Sequence, residues 1–122
     1  MINRLLLLIC FPAFSYATSF SDGSKKFGLS GGNDACWFDF NNDGWTDVCV
    51  GGNVYRNIKG KKFVFITKTG PSVAADFDND GFLDLYSWGN RKVYRNIDGK
   101  EFKIIEVPEL PKGGSLGACW GD

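Results

Sequence analysis

Short apolar runs alternate with turn residues along most of the chain, and the same order of runs occurs twice. The runs are rich in β-branched and aromatic residues and are bounded by glycine, asparagine or aspartate, which is typical of short strands. The segment Val54–Ile58 reads Val-Tyr-Arg-Asn-Ile and recurs unchanged at Val93–Ile97. The pattern predicts strands at residues 35–40, 47–50, 54–58, 63–66, 73–77, 83–86, 93–97 and 102–105.

These strands divide into two units of four, with a period of about 40 residues that is typical of β-propeller blades or a related solenoid. We therefore predict an all-β fold with two four-stranded antiparallel blades, at residues 34–70 and 71–112. The second unit has two extra residues, which the alignment of the copies places around Trp88–Asn90.

The end of the chain repeats the start of the first unit. Residues 118–120 and Asp122 match residues 35–37 and Asp39. We predict that residues 113–122 begin a third, truncated blade, represented by its first strand. Because propellers typically close with four to eight blades, the sequence predicts an incomplete propeller whose further blades are missing from this chain. Self-association of blade pairs into a full ring is an alternative.

A nine-residue stretch joins the first two predicted strands of each unit. We call residues 39–47 loop one and residues 76–84 loop two. Positions one, three, five and nine carry carboxylates, except for the amide of Asn41, and this spacing gathers oxygen atoms as a hard cation such as calcium requires. Glycine at position six supplies the positive φ of a tight turn. The spacing predicts a metal site, because carboxylates so close together would otherwise repel one another.

The loops have three alternative interpretations. An EF-hand needs glutamate at position twelve, which is Val50 in one copy and Ser87 in the other. A dockerin-like loop needs a following helix, whereas the residues after both loops favour strands. A plain turn that binds no ion is the third alternative, and two copies in register argue against it.

Residues 1–17 have the pattern of a signal peptide, with a basic start, an apolar run and small residues before a cleavage site after Ala17. A buried N-terminal strand or helix is the alternative. The apolar run is too short to span a bilayer comfortably, so we predict no membrane anchor and a secreted protein, extracellular or periplasmic. Residues 18–33 form a leader, with one short strand expected near Phe20 or Phe27.

Composition argues against several functional classes. The chain has 14 basic and 14 acidic residues, and the basic ones are scattered, so nucleic acid is not an expected partner. It has no histidine, which excludes histidine-based triads and histidine metal sites. It also contains neither a phosphate-binding loop nor a serine nucleophile elbow. We predict that this chain is not an enzyme.

One of the four cysteines lies in the predicted signal peptide. If the strands around loop one pair symmetrically about Asp43, Trp37 lies opposite Cys49, and Cys36 faces the other side of the sheet. A bridge between Cys36 and Cys49 would then need a bulge. Export permits disulfides, but we expect Cys36, Cys49 and Cys119 to be free, buried thiols that pack as small apolar residues.

Together, the loops and the Tyr-Arg-Asn strands resemble FG-GAP/VCBS repeats, the calcium-binding blades of integrin α-like β-propellers. The resemblance rests on residues 74–85, on Val93–Asn96 and on the Gly-Lys-x-Phe turn that follows. The Phe-Gly-Leu leader and the Ala-Cys-Trp-Phe-Asp entry also resemble the secreted cartilage-acidic-protein/UnbV group. The Phe-Gly…Gly-Ala-Pro string behind the repeat's name is not intact, so the resemblance is to the VCBS-like variant.

The resemblance implies one calcium ion in each loop, two in all. The implied ligands are Asp39, Asn41, Asp43, the Trp45 carbonyl and Asp47 in loop one, and Asp76, Asp78, Asp80, the Phe82 carbonyl and Asp84 in loop two. Loop two has four carboxylates against three, so we expect it to bind more tightly.

The implied function is that of a secreted calcium-binding repeat segment that mediates interaction with an unknown protein or glycan, as in adhesion, with calcium in a structural role. The alternative is the propeller part of a secreted polysaccharide-active enzyme whose catalytic residues lie outside this chain.

Two further sets of side chains are expected to be structural. Arg56 and Arg95, each between a tyrosine and an asparagine, are expected to brace the blade, with surface recognition as the alternative. The tryptophans are expected to pack between blades, with a carbohydrate-stacking surface as the alternative. They are Trp37, Trp45, Trp88 and Trp120.

Overall fold

The structure is a computed structural model that describes residues 19, 21–29, 31–108 and 117–120. Its elements are α1 (Ser24–Phe27), β1 (Ala35–Phe38), β2 (Asp47–Val50), β3 (Asn53–Ile58), β4 (Lys62–Lys68), β5 (Ser72–Ala75), β6 (Asp84–Ser87), β7 (Lys92–Ile97) and β8 (Glu101–Ile105). The signal peptide predicted at residues 1–17 lies outside the described residues, as does Phe20 of the leader.

The strands form two four-stranded sheets, and within each sheet every strand is hydrogen-bonded to the strand that follows it in sequence. The first sheet has the order β1-β2-β3-β4 and the second β5-β6-β7-β8, with every pairing antiparallel. The fold is therefore all-β, with two sheets consistent with propeller-like blades. The two extra residues also lie where predicted, because β6 and β7 are joined by residues 88–91 and β2 and β3 by residues 51–52.

The turns between the third and fourth strands of each sheet are formed by a glycine and the residue before it. Lys59 and Gly60 both have positive φ, as do Asp98 and Gly99. Each pair sits inside a turn closed by a backbone hydrogen bond of 3.0 Å, from Lys61 N to Ile58 O in the first sheet and from Lys100 N to Ile97 O in the second. Two successive positive φ angles match the twist of the flanking strands, which is why the same turn ends both repeats.

The core lies between the two sheets and draws on both. Its buried members are Phe38, Phe40, Cys49, Val54, Leu85 and Tyr94. Phe40 comes from loop one and is only 1% exposed, and its ring lies 5.4 Å from that of Phe102 in β8. Loop one is thus held against the second sheet by an aromatic contact as well as by its own strands.

Strands β1 and β5 are shorter than predicted, each ending before its loop. Phe40 was placed in the first strand, but its N–H donates to the Asp47 carboxylate at 3.1 Å and not to the backbone of β2. Phe77 does the same with Asp84, at 3.2 Å. The ninth loop residue therefore captures the amide that would have extended each strand.

The leader contains a helix where a strand was predicted. Gly28 follows α1 with φ 72°, a left-handed conformation that ends helices and that glycine adopts without strain. The N–H groups of Gly28 and Leu29 donate back to carbonyls of α1, so the segment satisfies its backbone locally and needs no sheet edge. Phe27 packs edge-on to Phe63, with ring centroids 6.1 Å apart.

The strand predicted for a third blade does not form in the part of that segment that the structure describes. Residues 117–120 have no regular structure, and the remainder of 113–122 lies outside the described residues. A strand is defined by its pairing, and none of the described strands pairs with residues 117–120. Trp120 instead packs on Tyr86 of β6, with centroids 6.3 Å apart.

The predicted cysteine register was wrong by one residue. Cys36 pairs directly with Cys49, and Phe38 with Asp47, so the hairpin is centred between residues 42 and 43. A one-residue shift moves a side chain to the other face of a strand, which puts both cysteines on the same side. They are free and pack in the core, as expected, whereas Cys119 is free but exposed.

Replacing Phe40 with alanine should reduce the free energy of unfolding by about 3–5 kcal/mol, the usual range for a buried phenylalanine. Phe77 occupies the same loop position and is 38% exposed, so Phe77→Ala should cost less than half as much. Urea denaturation of the two variants and the wild type measures both values. Equal losses would contradict the packing of loop one against the second sheet.

Candidate metal centre

The first residue of each loop organises the turn. In loop one, the carboxylate of Asp39 accepts hydrogen bonds from Asp43 N at 3.2 Å and Gly44 N at 2.8 Å. In loop two, the carboxylate of Asp76 accepts from the equivalent amides at 3.1 and 2.9 Å. The sixth residue, Gly44 or Gly81, has φ of 80° or 89°, which turns the chain back toward its start.

The ninth residue of each loop is a buried carboxylate at the start of a strand. Asp47 accepts from Phe40 N and, at 2.7 Å, from Asn57 N. Asp84 accepts from Phe77 N and, at 2.7 Å, from Asn96 N. Both aspartates are fully buried, and each joins the two ends of its loop to the third strand of its sheet.

Burial disfavours the charged form of these two side chains. It raises the pKa of Asp47 from 3.8 to about 6, with a smaller contribution from the neighbouring carboxylates of Asp43 and Asp39. The pKa of Asp84 is raised for the same reasons, with Asp78 and Asp80 as neighbours. A positive charge placed inside the loop would favour the ionised forms.

The third position holds an oxygen that the protein does not satisfy. Asn41 Oδ1 and Asp78 Oδ1 are both buried, and no described residue donates a hydrogen bond to either of them. A buried acceptor without a partner is costly. Its occurrence at the same position in both loops points to a common cause.

An arginine from the third strand of each sheet contacts the loop carboxylates. Arg56 lies 2.9 Å from Asp43 and holds the pKa of that carboxyl below its ordinary value. Arg95 lies 2.7 Å from Asp78 and 3.5 Å from Asp80. The arginines therefore neutralise part of the charge in the loops.

The structure brings together only some of the predicted ligands. Carboxylate oxygens of Asp76, Asp78 and Asp84 all lie within 4.8 Å of one another, a grouping compatible with one cation. Asp80 is turned toward Arg95 and toward Phe82 N, to which its carboxylate is bonded at 2.9 Å. Loop one shows no such group of three carboxylates among the described residues, since its third position is the amide of Asn41. The Trp45 and Phe82 carbonyls remain predictions as ligands.

Sequence reasoning assigned the two arginines to strand bracing and did not assign the adjacent asparagines. Both pairs in fact contact the loops, through the ion pairs above and through the amides of Asn57 and Asn96. The signal was available, because the Tyr-Arg-Asn segment recurs unchanged in both repeats together with the loop. A repeat that preserves two polar residues beside a carboxylate loop indicates contact between them.

Residues 39–87 match a family model described as an FG-GAP-like repeat. Over this region the chain is similar to an FG-GAP-like repeat. The matched region runs from the first residue of loop one to the end of β6 and so includes both loops. No curated protein and no solved structure matches the chain significantly.

Among the described residues, no helix has the length and apolar character needed to cross a membrane.

The raised pKa of Asp47 predicts a pH dependence for the metal-free chain. The group is raised from 3.8 to about 6, so its favourable contribution is fully present below about pH 4 and is lost as pH rises through about 6. The raised pKa of Asp84 changes stability with pH in the same direction. The pKa of Asp43 is lowered, so its titration lies below the pH range tested. Relative to Asp47→Asn, which stays neutral, wild type should therefore lose melting temperature between pH 4.5 and 7.5 in EDTA. A difference that is flat with pH would contradict the burial of an ionisable group here.

Proposed function

We propose that this chain is a calcium-stabilised segment of an FG-GAP-type β-propeller that is exported and mediates protein or glycan interaction. The observation that carries the calcium proposal is the pair of buried oxygens without hydrogen-bond donors, Asn41 Oδ1 and Asp78 Oδ1. They are equivalent atoms in two loops of the same length. A cation bound inside each loop would satisfy both.

The chemistry of the donors fits calcium. The ion takes six to eight oxygen ligands from carboxylates, amide and backbone carbonyls and water, and the inner positions of both loops offer carboxylates and, in one case, an amide. Asp76, Asp78 and Asp84 supply three of these oxygens within 4.8 Å. Loop two carries one more carboxylate than loop one at these positions, which supports the expectation that it binds more tightly.

Calcium would be structural in this proposal. Each loop connects the first two strands of a sheet, and its ninth residue is also bonded to the third strand, so an ion inside the loop would hold three strands together. An ion that binds the folded loop and not the unfolded chain stabilises the fold by mass action. No bound substrate or reacting group is required.

The interaction role is supported by large side chains exposed outside the core. Trp37 is 60% exposed and Phe65 54% exposed, and both lie on the face of the first sheet that points away from the core. Each blade of a propeller packs on a neighbour on either side, so these residues would contact further blades or a ligand. Export rests on the predicted signal peptide at residues 1–17.

Calcium titration of residues 18–122, measured by calorimetry, tests the proposal. We expect two ions per chain and a higher melting temperature in calcium than in EDTA. Asn41→Ala and Asp78→Ala should each remove one ion, because each deletes the oxygen that has no other partner.

Glu101→Gln is the matched control for the loss of a carboxylate, since Glu101 is exposed and lies outside both loops. It should bind two ions with wild-type affinity. A folded wild-type chain that binds no calcium would overturn the proposal. So would loss of binding in the Glu101→Gln control to the same extent as in Asp78→Ala, since binding would then reflect general negative charge.

A further inference from the structure

A chain of hydrogen bonds joins the two loops across the interface between the sheets. Asn96 lies at its centre and is fully buried. Its backbone N–H donates to Asp84 of loop two at 2.7 Å, and its Nδ2 donates to the carbonyl oxygen of Phe40 in loop one, also at 2.7 Å. The N–H of Phe40 donates in turn to Asp47 at 3.1 Å. The buried ninth-position carboxylates of the two loops are therefore connected through only two residues.

Two more contacts tie loop one to the second repeat. Asn42 Nδ2 in loop one donates to the carbonyl of Gly81 in loop two at 2.9 Å. Gly99, in the turn after Asn96, lies so close to loop one that a Cβ there would come within 2.8 Å of the Asn41 Cα atom. Loop one thus rests directly on the second sheet, at the position of one of its own proposed ligands.

The repeat provides an internal comparison, because Asn57 is the counterpart of Asn96 in the first sheet. Asn57 N donates to Asp47 at 2.7 Å, its Nδ2 donates to Thr46 O at 3.0 Å, and its Oδ1 accepts from Gly60 N at 2.8 Å. Asn96 makes the same three local bonds at 2.7, 3.0 and 2.9 Å. Asn96 makes one further bond, from Nδ2 to the Phe40 carbonyl. Asn57 makes no equivalent bond to any described residue.

We propose that the two loops bind calcium with positive cooperativity and that Asn96 is the positioning residue that couples them. The inference rests on the proposed function, because it needs calcium in both loops. An ion in loop two fixes Asp84 and, through it, Asn96, whose amide holds the Phe40 peptide between Asp39 and Asn41. Loop one then has less conformational freedom left to lose when its own ion binds. By linkage, an ion in loop one strengthens binding at loop two by the same factor.

The first test removes one ion and measures the other. Asp78→Ala disables loop two while keeping its turn, since the backbone bonds of that loop end on Asp76, Asp80 and Asp84. With calcium alone as the probe, calorimetry of the full chain from residue 18 should show that loop one of this variant binds at least about fivefold more weakly than in wild type, the lower end of typical coupling.

The second test separates coupling from structural support. In an Asn96→Ala background, adding Asp78→Ala should no longer change the calcium affinity of loop one. In the matched Asn57→Ala background it should still do so, although Asn57→Ala deletes the two equivalent side-chain bonds. A purely structural role predicts the same behaviour for both asparagines.

A milder pair keeps the test informative if Asn96→Ala does not fold. Asn42 and Asn79 are equivalent residues with φ of 55° and 58°, which glycine adopts freely. Asn42→Gly removes the exposed bond to Gly81 and should reduce the coupling factor, whereas Asn79→Gly should leave it unchanged.

The outcomes distinguish this inference from the proposed function. The wild type could bind two ions while Asp78→Ala leaves the calcium affinity of loop one unchanged. That result would overturn the coupling and leave calcium binding standing. Absence of calcium binding by the folded wild type would overturn both. Coupling that survives in Asn96→Ala as fully as in Asn57→Ala would overturn the role of Asn96.

Discussion

Concentrated negative charge is the constraint on which the rest of this structure depends. Each loop gathers several carboxylates within a nine-residue turn, and the last of them is buried at the start of a strand. Ionised carboxylates cannot share so small a space unless something opposes their repulsion and their loss of water. Backbone amides do part of this for Asp47 and Asp84, and Arg56 and Arg95 do part for the outer positions. The Oδ1 atoms of Asn41 and Asp78, at position three, have no hydrogen-bond donor among the described residues.

The same constraint explains which backbone features occur in both repeats. Turning the loop back on itself needs positive φ at the sixth residue, and both copies have glycine there. Donating an amide to the buried ninth residue needs the strand after the next turn to lie alongside, and Asn57 and Asn96 provide that amide in equivalent places. The repeated unit therefore consists of the loop together with the third strand that donates an amide to it.

The two copies differ where they face different neighbours. Phe40 is buried against the second sheet, whereas Phe77, at the same loop position, is partly exposed. The Asn96 side-chain amide donates to the carbonyl of Phe40 in loop one. Asn57 makes only its local bonds, as far as the described residues show. Equivalent residues of the two repeats thus make additional contacts where the two sheets pack together.

Much of the fold could be predicted from the sequence because strands, hairpin turns and loops are specified locally. The alternation at Val54–Ile58 and the glycine turns place the strands to within two residues at every end. Local signals do not determine pairing: the cysteine register was wrong by one residue because it depends on where the loop is centred. The leader helix was missed because four residues ended by Gly28 carry little periodic signal.

The candidate site was predictable in composition and less so in geometry. The loop spacing identified the carboxylates, and it predicted neither the ion pairs with the arginines nor the bond from Asn96 to loop one. Those contacts depend on how far β3 and β7 reach past the loops and on how closely the sheets approach, which are tertiary properties. A polar residue repeated beside a loop, as in the Tyr-Arg-Asn segment, is the signal that such contacts leave in a sequence.

Anomalous diffraction from crystals of the chain grown with calcium tests the central claim most directly. The account predicts one peak inside each loop, within about 2.3–2.6 Å of Asn41 Oδ1 and of Asp78 Oδ1, the usual calcium–oxygen distance. Well-ordered loops in which these two oxygens bind only water, with no anomalous peak, would contradict it.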